Sequence, residues 1–368
     1  NNKECILELK IATDYDLTVE DALSTSQKYN ILDFLNNNLA FEFQKETIYL
    51  IPGEEKEIEY ITKNITTKPN SYTFKSKNEQ VATINNNIIT GISPGTTEIY
   101  LDDKASLKVI VTNLITKPTL PTQKKEVIAC QKYNENEAKI LDELLEARIS
   151  DAGYKTRAGA VAAARFLTLE FPYRIPYFYE NGRLHSSGVN YVDGEGRYYK
   201  KGLYLHKNKY SGIKARFSGP AMWGCALTNW EDNEDYGYKF GTTKPNGLDC
   251  SGFVSWALLN GGFDPGDIGA GESPYPYQMT DLGKYTRLTS DLINSDKIKV
   301  GDLFNYWGHI AILIGMDKDN FYIAESLPHL GGVVAKKYSK KNVTSTFDYV
   351  VLMDEYYKKD GNYTEYWN

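Results

Sequence analysis

From Phe41 to Asn113 apolar and polar residues alternate in short runs, ETIYLI, EIEYI, SYTFKS, VATI, IITGI, TTEIYL and SLKVIVTN. Pro52-Gly53, Asn85-Asn86-Asn87 and Pro94-Gly95 punctuate them. A period of two in runs this short, broken by turn residues and free of helical spacing, predicts an all-β sandwich over residues 39–114. Ahead of it, Thr18 to Leu35 carries a weak helical pattern that opens on Thr18-x-x-Asp21, a helix-start spacing. Residues 1–38 therefore read as an N-terminal extension able to pack on the sandwich.

The pattern changes at ITKPTLPTQKK, Ile115 to Lys125, where two prolines and few large apolar residues predict an extended linker over 115–126 and a domain boundary. Beyond it Ile140, Leu141, Leu144, Leu145 and Ile149 recur at helical spacing, and Thr156 to Leu169 predicts a second helix stopped by Pro172. From Pro172 to about Lys244 the chain is rich in Tyr, Gly and charge without a period, and reads as loops and short strands. In PNGLDCSGFVSWALLNGGF, Phe253, Val254, Ala257 and Leu258 share one helical face, and Asn260-Gly261-Gly262 supplies the stop. KVGDLFNYWGHIAILIG then reads as two strands, Val300 to Asn305 and His309 to Ile314, with a loop at Met316 to Asn320 and a third strand, FYIAES. Residues 127–368 are thus expected as an α+β domain with a helical lead-in.

Composition narrows the function. At about 150 residues per domain, 368 residues make two or three domains. A net charge of −6 argues against nucleic acid as the main partner, since phosphate binding calls for a basic face. No run approaches the roughly 18 apolar residues of a membrane span. The opening NNKECILELK lacks the basic start and apolar core of a secretory signal, which leaves an upstream signal or anchor open. Four cysteines and four histidines exclude a disulfide-dense scaffold and an array of zinc sites. Cys5, Cys130, Cys225 and Cys250 form no CxxC, so cysteine usage indicates no compartment. His185 and His206 fall in polar, tyrosine-rich loops with no second ligand at metal spacing. No metal or cofactor is expected.

What thiol and imidazole chemistry there is must come from few residues. Cys250 falls in the first turn of a buried helix, where unpaired amides and the positive end of the dipole favour thiolate; the alternative is a small core residue. His309 begins a strand, with Ile310, Ile312 and Ile314 on alternating positions. If Ile314 pairs with Asn320, His309 stands opposite Glu325, a carboxylate suited to orient the imidazole. A slip of one residue presents Ser326 or Ala324 instead, and His329, just past Pro328, is the other polar candidate. Cys225 reads as a buried thiol beside Trp223-Gly224, and Cys5 and Cys130 receive no role.

LDCSGFV, then VGD, then GH and an apolar strand ending in Gly, in this order, resemble the catalytic core of the NlpC-type cell-wall cysteine peptidases, a papain-like fold. The resemblance implies that Cys250 is the nucleophile, His309 the base, and a polar residue on the next strand the orienter. It also implies that Asp249 and Ser251 help hold the free amino end of a stem peptide, roles whose alternative is helix capping. The third position departs from the family's usual His; Glu325 there is similar to the related CHAP amidases. Met222-Trp223-Gly224 partly matches the family's aromatic-Trp-Gly segment, which implies a substrate-binding Trp223. The Tyr expected before it is missing, and Tyr236 or Tyr238 is the nearest replacement. Ser76 to Leu101 resembles the bacterial immunoglobulin-like group 2 domain, a spacer or adhesive module of surface and secreted proteins.

Together these resemblances imply a multidomain chain, an all-β immunoglobulin-like sandwich followed by an α+β papain-like cysteine peptidase domain. They place it at the cell surface or wall of a bacterium, most simply a Gram-positive one. The implied activity is hydrolysis of an amide in peptidoglycan stem peptides, the γ-D-glutamyl bond to a diamino acid first. An N-acetylmuramoyl-L-alanine amidase with the same site, and an inactive adhesin or wall-binding protein, are the alternatives. Stem peptides are the expected partner, with a surface or wall ligand for the immunoglobulin-like part.

Overall fold

The structure is a computed structural model that describes residues 16–20, 26–30, 40–63, 72–120, 125–178, 184–186, 201–210, 213–215, 219–228, 239–266, 268–271, 277–362 and 364–365. The chain divides into two compact units, Asn1–Asn113 and Leu114–Asn368.

The first unit opens with β1 (Asp16–Glu20) and β2 (Ser26–Asn30), an antiparallel pair. Over residues 18–20 and 26–30 these strands replace the helix expected from Thr18 to Leu35, and the rest of that run lies outside the described residues. DLTVE alternates apolar Leu17 and Val19 with polar residues, and that period of two overrides one helix-start spacing. The following strands are β3 (Ala40–Phe43), β4 (Thr47–Leu50), β5 (Glu55–Glu57), β6 (Tyr60–Lys63), β7 (Phe74–Ser76), β8 (Ala82–Asn85), β9 (Ile88–Gly91), β10 (Gly95–Leu101) and β11 (Ala105–Val111). They form sheets in the orders β4-β11-β10-β7, β5-β9-β8 and β3-β6. Ile48, Leu50, Ile99, Leu107, Val109 and Val111 of the first sheet meet Ala82 and Ile89 of the second in one apolar cluster, with Ile58 and Val81. Strand alternation produces this directly, because every second side chain falls on the inner face.

The second unit begins at Leu114 and so takes in the run expected as a linker. Ile115 is buried, Thr116 N–H donates to the Glu170 carbonyl at 2.8 Å, and Lys125 Nζ donates to the carbonyls of Thr168, Leu169 and Phe171 at 3.0, 2.9 and 2.6 Å. Prolines leave the run extended but do not stop it from docking. The ammonium gathers carbonyls around the wide π-helical turn Phe166–Glu170, and its burial lowers the Lys125 pKa to about 8. Residues 121–124 lie outside the described residues.

Among the described residues three α-helices run to nine residues or more: α1 (Glu135–Ala152), α2 (Arg157–Arg165) and α3 (Cys250–Asn260). A capping box between Asn134 and Glu137 opens α1, and Leu141, Leu144, Leu145 and Ile149 line its buried face. α2 is mostly alanine, so α3 approaches closely; a Cβ on Gly261 would fall 2.6 Å from the Ala160 Cα. In the tyrosine-rich stretch, β12 (Leu184–Ser186) pairs with β13 (Ile213–Ala215), and β14 (Ala226–Thr228) with β15 (Thr243–Pro245). His185 thus lies on a strand rather than in a loop. Tyr236 and Tyr238 lie outside the described residues.

The main sheet has six antiparallel strands in the order β16-β21-β17-β18-β19-β20. They are β16 (Lys284–Arg287), β17 (Leu303–Tyr306), β18 (His309–Met316), β19 (Asn320–Leu327), β20 (Gly332–Ser339) and β21 (Tyr349–Leu352). α2 and α3 pack on β18. Phe304, Ala311, Leu313, Phe321, Ile323, Phe347 and Val350 form a separate cluster. β17 starts at Leu303 and not at Val300. Gly301, at φ 99°, turns the chain so that Asp302 accepts from Arg157 Nη1 at 2.8 Å. Arg157 is fully buried and also reaches Asp354 at 2.5 Å and Asp360 at 3.0 Å.

Cys130 and Cys225, expected to have no role and to be a buried thiol, form a disulfide across 95 residues of sequence. No local pattern reports such a pairing, because it requires the chain to be folded first. It bears on the site, since Gly224 N–H donates to the Asn246 carbonyl at 2.8 Å and Asn246 N–H to the Cys225 carbonyl at 2.7 Å, just ahead of α3. Cys5 lies outside the described residues. Among the described residues no helix is long and apolar enough to cross a membrane.

Candidate active site

α3 starts on a side-chain cap. Asp249 accepts the Gly252 N–H at 2.6 Å and the Ser251 hydroxyl at 3.2 Å. Both side chains are buried, so the two residues linked by resemblance to the substrate's amino end are engaged in building the helix start. Cys250 is the first helical residue, 8% exposed, and is the free cysteine of the described chain. Behind it Phe253, Val254, Trp256, Ala257 and Leu258 are buried, which fixes the helix rigidly. Trp223, expected to bind substrate, is only 4% exposed and packs against Trp256 at 5.7 Å and Tyr204 at 5.8 Å. Its indole is used up in supporting α3.

His309 begins β18, hydrogen-bonded to Glu325 on β19 with Nε2 to Oε2 at 2.9 Å. The pairing of Ile314 with Asn320 does not form. A tight turn, Asp317 N–H to the Asn320 carbonyl at 3.0 Å, sets Met316 opposite Phe321 and Gly315 opposite Tyr322. A bulge then leaves Ile314 unpaired, and Leu313 faces Ile323 and Ile312 faces Ala324. Continued to His309, this register faces residue 327, and Glu325 is the diagonal neighbour on the same face. Diagonal partners remain within reach of long side chains. Without the extra residue the register would shift by one and turn Glu325 to the opposite face. Arg165 Nε donates to the Ile314 carbonyl at 2.7 Å and holds the bulge.

Because Glu325 takes Nε2, the other ring nitrogen is left for the Cys250 thiol, which is near enough to favour the protonated imidazole. Cys250 Sγ also lies 3.9 Å from the Gly308 carbonyl. Burial by itself would lower the His309 pKa; the hydrogen bonds and charges of Cys250 and Glu325 outweigh it and raise the value to about 9. Burial likewise pushes Glu325 up, but His309, Tyr338 and Lys336 hold it below the usual carboxylate range. Exposure falls along the chain, from 8% at Cys250 to 4% at His309 and 1% at Glu325.

Residues 235–352 match the NlpC/P60 family. The family is generally one of cysteine peptidases that act on the peptides of cell-wall peptidoglycan. The match spans about a third of the chain and contains Cys250, His309 and Glu325. No curated protein matches the sequence.

Around this centre the NlpC/P60 region supplies groups that no motif marks. Tyr306, paired directly across from His309, stacks on the imidazole at 4.6 Å. Asn305, fully buried, donates to the His309 carbonyl at 2.8 Å and to the Ala270 carbonyl at 3.0 Å. Ser326 Oγ donates to the Leu248 carbonyl at 2.5 Å, which ties β19 to the residue two before Cys250. Glu325 Oε1 accepts from the Tyr338 hydroxyl and lies 3.5 Å from Lys336 Nζ. Tyr306 alone had a readable signal, since a Trp307-Gly308 turn places it beside His309. Trp307, in the turn between Tyr306 and His309, is 77% exposed. His329, the alternative third residue, is exposed on the short turn Pro328–Leu330, and Glu325 already occupies Nε2. Among the described residues no group of three or more His, Cys, Asp or Glu is placed to hold a metal ion.

Proposed function

We propose that the chain is a peptidoglycan hydrolase, a cysteine endopeptidase that cleaves an amide in stem peptides, at the γ-D-glutamyl bond to a diamino acid. One observation carries this reading: the buried chain Cys250, His309, Glu325 at the start of α3, inside the NlpC/P60 match. The Cys250 thiolate attacks the carbonyl carbon, and the Cys250 backbone N–H, unpaired in the first turn, supports the oxyanion. The His309 imidazolium passes its proton to the leaving amine, and a thioester remains. Neutral His309 then takes a proton from water, whose oxygen attacks the thioester and releases the second product with the thiol. Glu325 holds the Nε2 proton and the ring orientation throughout.

The Cys130–Cys225 disulfide supports an extracellular location, because such bonds persist in oxidising compartments. The all-β unit is read as an immunoglobulin-like spacer or adhesive module. One observation favours the amidase alternative: the third position is a carboxylate, as in the CHAP amidases that the strand resembles. Mass spectrometry of muropeptides digested by the wild type and by Cys250→Ala tests both. The endopeptidase reading expects new free amino ends on the diamino acid and none from the variant. Free L-alanine amino ends transfer the assignment to the amidase, and turnover by Cys250→Ala removes Cys250 from the chemistry.

A further inference from the structure

We infer that Tyr338 and Lys336 on β20 are positioning residues, a two-step relay that fixes Glu325 on His309 and sets the pH range over which the site works. The inference rests on the roles proposed above for Cys250 and His309. A carboxylate buried as deeply as Glu325 is costly unless both oxygens are matched. Oε2 is matched by His309 and Oε1 by the Tyr338 hydroxyl, with Lys336 Nζ 3.5 Å away. Lys336 Nζ in turn donates to the Tyr338 oxygen at 2.7 Å. The donors therefore run in one direction, from Lys336 to Tyr338 to Glu325, and each step polarises the next.

Strand register explains why these two residues serve. Glu325 faces Val334, Ile323 faces Lys336 and Phe321 faces Tyr338, so Lys336 and Tyr338 lie two and four residues along the face that carries Glu325. Only a long, rigid side chain spans the second interval, and the Tyr338 ring is braced edge-on by Phe347 at 5.3 Å and covered by Lys336 at 4.7 Å. Among the described residues the titratable groups facing this carboxylate are His309 on β18, Tyr306 on β17, Lys336 and Tyr338 on β20, and Cys250 on α3. Of these, Lys336 and Tyr338 are the ones that touch Oε1. Loss of the relay leaves Oε1 unmatched, favours the protonated carboxyl, and removes the partner that holds the proton on His309.

Tyr338→Phe tests this while keeping the ring on Phe347, and Lys336→Met keeps the aliphatic stem. Two readouts are needed: kcat and KM on stem peptides, and the pH dependence of Cys250 alkylation by iodoacetamide, which involves no substrate. The expected result for Tyr338→Phe is a fall in kcat of about tenfold or more at near-constant KM, the scale for groups that orient a catalytic residue. The alkaline limb of the rate profile, where His309 loses its proton, is expected to move to lower pH, and the rising limb of the alkylation profile, where the thiolate forms, to higher pH. Lys336→Met is expected to shift each limb in the same direction by less, and Lys336→Arg to restore them. An unchanged limb in Tyr338→Phe overturns the relay, and so does lost activity with an unshifted profile and a lowered Tm, the mark of a purely structural residue. A wild-type Cys250 no more reactive than a model thiol overturns the catalytic reading itself, a result separable from either because it needs no variant.

Discussion

The two units treat polarity in opposite ways. Among the described residues of the first, the buried polar side chains are Thr97 and Thr112, and its ion pairs, such as Lys77 with Glu98, stand at the surface. The second buries Arg157, Asp302, Asn305, His309, Glu325 and Ser326 at 4% exposure or less. A buried charge costs several kcal/mol unless it is matched, so such residues persist where a partner is held in place. Alternation suffices for the first core, since each side chain needs only the right face. The second core needs particular partners at particular distances, and there the chemistry collects. It contains two different networks. Arg157 and Asp302 hold the turn before β17, whereas His309 and Glu325 share a proton that moves with pH.

The largest effect that separates the units is catalytic. His309→Ala is expected to cost about 10⁴-fold in kcat/KM on stem peptides, the scale of losing a base in a nucleophile chain. Ile89→Val in the first unit is expected to leave the rate intact, and a comparable loss there would break the division. The wild-type rate is expected to fall as pH rises through about 9, where His309 loses the proton needed by the leaving amine. Stability carries the same sign. A pKa raised from 6.5 to about 9 contributes stability that is complete below 6.5 and lost as pH rises through 9, so calorimetry should show the gap between wild type and His309→Ala narrowing over that window.

Next in size is Arg157→Met, which strands the buried Asp302 carboxylate. It is expected to cost about 3–5 kcal/mol, seen by denaturant unfolding in the second unit's transition alone. Smaller is the paired change Cys130→Ala with Cys225→Ala, expected to cost about 2–4 kcal/mol by relieving the unfolded chain of a long loop. Because Cys225 and Gly224 exchange hydrogen bonds with Asn246, a loss of kcat with KM unchanged is expected alongside it. Equal stability with and without the bond would show that the segment before α3 is held by packing alone.

The elements themselves were largely legible. The runs from ETIYLI to SLKVIVTN form strands, and the helix start at Asp249-Cys250 follows from its cap and its apolar period. Glu325 is more instructive. The assumed register was two residues away from the observed one, and the side-chain period of two keeps the same residues on the same face. An odd error would have pointed to Ser326, and the bulge at Ile314, just before Gly315, is what separates the cases. Trp223 and the 115–126 run misled in a common way. A rare aromatic beside a motif and a pair of prolines describe local chain character, while burial depends on what docks against it. Tyr338 and Lys336 had no signal, since a residue on β20 reaches Glu325 only through the register of β19 with β20.

By itself the sequence determined most of the strands between Phe41 and Asn113, that Cys250 starts a helix and that His309 starts a strand, because these depend on near-neighbour periodicity and capping. The tertiary structure alone decided the Cys130–Cys225 bond, the Ile314 bulge that turns Glu325 toward His309, the burial of Trp223 and the relay from Lys336. Each of these joins residues far apart in the chain, and only the folded register and packing bring such groups within the few ångströms over which hydrogen bonds act.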